Sequence, residues 1–134
     1  MFERVMQWLE DDDTELAQDF DDDETRLAVA ALFYHMVAID GEVSNAERER
    51  LRTLLTDRYS LSESQFERLK EAAKAMDEST AGIFPYTIIL NRQLDDLERH
   101  SVYSQLQALA MADDHVADVE RDLLHHVRTL LKLS

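Results

Sequence analysis

The sequence predicts an all-α domain, and three observations carry that expectation. Only two glycines and one proline punctuate 134 residues, and what lies between them is mostly good helix formers. Apolar residues recur at helical spacing: Val29, Phe33 and Met36 lead to Asp40, and Val102, Leu106 and Leu109 lead to Asp113, both series running i, i+4, i+7, i+11. Finally, Ile39–Arg48 is repeated 73 residues later as Ala112–Arg121, matching Asp40 with Asp113, Val43 with Val116, Glu47 with Glu120 and Arg48 with Arg121. A duplicated helix–turn–helix unit accounts for this. The expected architecture is six or seven helices in a single compact domain, with residues 25–59 and 96–132 as two long-helix/turn/helix units.

Composition limits the function classes. A chain with 45% apolar residues is long enough to fill a hydrophobic core. The formal charge is −15, from 29 acidic and 14 basic residues, which argues against an electrostatic grip on nucleic acid or anionic lipid. Residues 1–24 hold 11 acids and one arginine, −10 of that total, so residues 1–24 divide as an acidic amino-terminal segment from a helical body at 25–134. Without a membrane-length apolar run or a signal pattern, a cytoplasmic protein with no membrane insertion is expected. The absence of cysteine removes disulfides, thiolate metal sites and cysteine nucleophiles.

In chain order, Phe2, Val5, Met6 and Leu9, with Trp8 beside them, read as a short amphipathic helix over residues 2–10. Trp8 with Met6 and Leu9 is expected to fold back on the body. The acids of residues 11–24 fail the calcium-loop pattern, because Leu16 stands where glycine and Asp22 where glutamate is required counting from Asp11. They read instead as residues that precede and open a helix, where its dipole favours negative charge. Thr25 to Asp40 is apolar nearly all round, as for a buried helix. Ser44 with Glu47 forms a capping box for a helix to about Arg58, Ser62 with Gln65 opens residues 63–77, and Asp95 with Glu98 opens residues 96–113. Ser79-Thr80-Ala81-Gly82 is a break, and Ile83–Leu94 a helix with Pro85 in its first turn. Glu47, Leu51, Leu54 and Leu55 share one face, repeated by Glu120, Leu124, Val127 and Leu131. Phe84, Tyr86 and Tyr103 are expected in the core.

Asp40, Glu47, Asp113 and Glu120 therefore point from helix ends toward apolar faces, which is costly for a carboxylate unless something donates to it or neutralises it. Two readings stay open. As structural caps, the aspartates accept from free amides of the following helix and the glutamates complete its cap. As ligands, the four supply oxygen to a hard cation such as Ca²⁺ or Mg²⁺. Zinc is disfavoured: no His-Glu-x-x-His pattern exists, and the adjacent His125 and His126 diverge by about 100° on a helix. His115 alone is placed to join the carboxylates. No glycine-rich phosphate loop, serine elbow or metalloprotease helix marks a catalytic residue, so no enzyme is expected, a carboxylate hydrolase being the weakest alternative.

Thr25-Arg26-Leu27, Asp40-Gly41-Glu42-Val43 with Glu47, Thr87…Asn91…Leu94 and Ala112-Asp113…Glu120 together resemble the TerB-like family associated with tellurite resistance, over nearly all of residues 25–133. The resemblance implies an all-α fold of about seven helices with a pseudo-repeat and a metal site built from the turn carboxylates, to which it adds Glu42. It also implies a non-enzymatic stress-response module with a protein partner. The chain departs from the family pattern at His35, where an acid is expected, at Asp114-His115 in the second turn, and at Ala117 in place of a capping side chain. The alternative to a cation-binding module is a protein-interaction domain whose turn carboxylates are helix caps only.

Overall fold

In a computed structural model of the chain, the described residues are 20–39, 41, 43–112 and 116–133. They form six helices and no strand: α1 (Phe20–Ala38), α2 (Asn45–Tyr59), α3 (Glu63–Glu78), α4 (Phe84–Gln93), α5 (Asp96–Ala110) and α6 (Asp118–Leu130). The expected helix over residues 2–10, with Trp8, lies outside the described residues. None of the described helices is long and apolar enough to cross a membrane.

The core is built around α1. Leu27 to Phe33, Met36 and Val37 are fully buried, and the helix packs against α2, α3, α4 and α5, which is why its sequence is apolar on every side. The alanines at 28, 30 and 31 leave room for neighbouring helices to come close. Around it, Leu51 and Leu55 of α2, Phe66, Leu69 and Ala73 of α3, Ile89 and Leu90 of α4, and Val102, Leu106 and Leu109 of α5 complete one cluster. Helix α6 closes it with Leu123 and Val127, packing on α5 and α4.

Local chemistry places most helix starts where expected. Ser44, Ser62 and Asp95 are N-caps in extended conformation, each with a reciprocal capping box to Glu47, Gln65 and Glu98. Pro85 stands in the first turn of α4. Polar contacts between helices set their relative positions: Asn91 Nδ2 of α4 donates to the Leu130 carbonyl at 2.9 Å, near the end of α6, and Arg58 of α2 donates to Ser101 at 3.3 Å and to Gln105 on α5.

Four expectations need correction. Helix α1 begins at Phe20, not Thr25, so the Asp21–Glu24 run lies within its first turns, where acids that open a helix are expected. Asp23 is buried there, and Glu24 accepts from Arg92 at 3.2 Å. Helix α5 ends at Ala110 instead of 113, closing in a turn in which the Ala112 amide donates to the Leu109 carbonyl at 3.2 Å. On α6 it is Leu123 that is buried, and Leu124 is only partly so. Tyr86 is in the core and Tyr103 packs against it, but Phe84 is exposed.

Candidate functional site

The two repeats present the same construction at the start of their second helix. In the first, α1 ends in a turn where the Gly41 amide donates to the Ala38 carbonyl at 3.1 Å, with Gly41 at φ +85°, a conformation that suits a residue without Cβ. The chain then extends through Ser44, at φ −74° and ψ 162°, into α2. The Glu47 amide donates to Ser44 Oγ at 3.0 Å, and the Ser44 amide donates to Glu47 Oε1 at 3.1 Å.

In the second repeat Ala117 takes the place of Ser44 with nearly the same backbone, φ −67° and ψ 158°. Its amide donates to Glu120 Oε1 at 2.9 Å, but the methyl side chain has no oxygen to return the contact. Half of the box is thus kept, the half made by the glutamate. Arg121 adds contacts to Asp118 Oδ1 at 2.8 Å and to the Val116 carbonyl at 3.4 Å, which tie the turn to the helix.

What sets the two glutamates apart is burial. Glu47 and Glu120 are each only 2% exposed. Glu98 makes the same contact at the same helical position, Asp95 amide to Oε1 at 3.1 Å, with its side chain in solvent. Gln65 does so with a neutral amide at 2.8 Å. Capping therefore demands neither burial nor charge.

Of the expected site residues, Glu47 and Glu120 are inward, as their place on the apolar stripe requires. Asp40, Glu42 and Asp113, with His115, lie outside the described residues. Among the described residues no group of three or more His, Asp or Glu is gathered closely enough to hold a metal. His125 and His126 face solvent beside an open hollow shared with Arg121, Asp122 and Thr129.

A second polar cluster escaped the reading by spacing. Where α1, α3 and α4 meet, Tyr86 donates its hydroxyl to Asp77 Oδ1 at 2.8 Å, and His35 Nδ1 lies 3.0 and 3.1 Å from the two oxygens of the same carboxylate. Burial, then the hydrogen bond and charge of Asp77, raise the Tyr86 phenol well above its ordinary value. His35 and Asp77 are 42 residues apart, and no local pattern joins them.

These features define an all-α module whose two helix–turn–helix units each bury a glutamate at the start of the second helix. The chain belongs to the TerB family: the family model described as Tellurite resistance protein TerB matches residues 26–134. Comparison with curated proteins and with solved structures found no match in either.

Proposed function

We propose that the protein is a non-enzymatic TerB module that takes a divalent cation, Ca²⁺ or Mg²⁺ in preference to Zn²⁺, through the carboxylates of its two turns, and that it works in the cytoplasm with a protein partner in a tellurite-type stress response. One observation carries the cation: of the helix starts capped through the side chain at the third position, the two that follow the acidic turns are those where a charged glutamate is buried. Gln65 and Glu98 perform the same capping without that burial. Removing a carboxylate from water is costly, and a hard cation offsets the cost. Glu47 and Glu120 would supply one oxygen donor from each unit, with Asp40, Glu42 and Asp113 as the further candidate ligands of the same turns. A bound ion would supply charge neutralisation at the turn carboxylates it meets. The stress role rests on the family alone.

The competing reading, an interaction domain whose acids are caps only, is favoured by the complete box at Ser44 and Glu47. Melting temperature against millimolar Ca²⁺, Mg²⁺, Mn²⁺ and Zn²⁺ separates the two. A cation site predicts a rise in the wild type by mass action that Glu47→Gln and Glu120→Gln weaken or abolish. It also predicts that both variants are at least as stable as wild type in chelator. A wild type indifferent to every cation would leave the caps-only reading. The stress role is tested separately, by whether producing the chain raises the tellurite tolerance of cells.

A further inference from the structure

Helix α4 buries Tyr86, Ile89 and Leu90 but leaves Phe84 58% and Ile88 43% exposed, with Pro85 also in solvent. Together with Arg92 these three fall within about 100° of one helix face, the apolar residues in the first turns and Arg92 at the far end. Arg92 Nη2 donates to Glu24 Oε1 at 3.2 Å, so the chain enters α1 beside the end of this apolar strip.

The 19 residues that precede α1 carry Phe2, Val5, Met6, Trp8 and Leu9 at helical spacing, followed by the acidic stretch from Glu10 to Asp19. We propose that residues 2–10 dock as an amphipathic helix on the Phe84–Pro85–Ile88 face of α4. Reach allows it: residues 11–19 span up to ~30 Å when extended, and Phe84 lies only about 12 Å along the helix from Arg92. Charge favours it as well, since the acidic connection would pass Arg92, the cation that already meets Glu24. A helix of about nine residues does not hold itself together in water. The tether gives this segment an effective concentration in the millimolar range at the α4 face, ahead of any free partner.

Trp8 is the single tryptophan of the chain, so fluorescence excited selectively at tryptophan, beyond the absorption of the tyrosines, reports on this segment alone in the full-length protein. Docking predicts blue-shifted emission with weak acrylamide quenching, independent of protein concentration. In the Phe84→Ser/Ile88→Ser double variant the emission should move to the red and quenching should rise severalfold, while far-UV circular dichroism of the body is kept because both side chains are exposed. Leu97→Ser, at another exposed apolar position, should leave the spectrum unchanged. Solvent-like Trp8 emission in the wild type would overturn the proposal. So would a buried signal unmoved by the double variant, one moved equally by Leu97→Ser, or one lost on dilution, which would assign the face to a second copy of the chain.

Discussion

Tyr86 donates its hydroxyl to Asp77 Oδ1 at 2.8 Å across the junction of α4 and α3, and Asp77 in turn accepts from His35 on α1. One carboxylate thus serves two donors from two other helices, while the phenol is itself fully buried. The asymmetry sets an order of effects. In Asp77→Ala the buried hydroxyl loses its carboxylate acceptor and His35 its partner, a cost of about 1–3 kcal/mol. Tyr86→Phe leaves Asp77 still paired with His35 and should cost about 1 kcal/mol. Urea unfolding of the two variants measures this directly, and an equal or reversed order would contradict the arrangement.

Burial of the same phenol predicts a loss of stability in alkali. Burial, followed by Asp77, raises the Tyr86 phenol above its ordinary value of 10.0. The folded state therefore keeps a proton that the unfolded chain gives up near that pH. The contribution is complete below pH about 10 and is lost as pH rises from there toward the folded-state value. Unfolding midpoints between pH 8 and 11 should fall more steeply above 10 for the wild type than for Tyr86→Phe.

Ala117 offers a test of the second turn. Its backbone already matches that of Ser44, so Ala117→Ser places a hydroxyl where the Glu120 amide can donate to it. Stability should rise by about 0.5–1 kcal/mol, and Ser44→Ala should lower it by about 0.5–2 kcal/mol. Thermal melting of both variants checks the pair, and a neutral Ala117→Ser would mean the two turns differ in geometry.

On α6, truncation distinguishes the observed face from the one expected by strict repetition. Leu123 is 6% exposed and Leu124 only partly buried, so Leu123→Ala should cost about 2–5 kcal/mol and Leu124→Ala clearly less. Chemical denaturation would show the reverse order if the repeat were exact.

How far the site could be read depended on the range of the interactions. The boxes at Ser44, Ser62 and Asp95 close within three residues, so spacing was enough to find them. The inward direction of Glu47 and Glu120 followed from the apolar stripes they head. Repetition misled at Leu124, because α6 turns a slightly different face to its own neighbours than α2 does. Aromatic residues on helices of a small domain usually belong to its core, but the side of α4 that meets α1 carries Tyr86, Ile89 and Leu90, which leaves Phe84 outside.

By itself, the sequence determined the all-α class, the six described helices to within a few residues, the duplicated turns and membership in the TerB family. The first three rest on periodicity, capping and spacing, which act over a few bonds or are written as a repeat, and membership rests on the family model that matches residues 26–134. Only the tertiary structure decided that Asp23 is buried, that Arg92 meets Glu24 from 68 residues away, and that His35, Asp77 and Tyr86 share one cluster. It also decided how completely Glu47 and Glu120 are covered, each only 2% exposed. The reason is physical: burial and the cost of a charge within it depend on which helices cover a face, and that is settled by packing among distant segments rather than by any local preference of the chain.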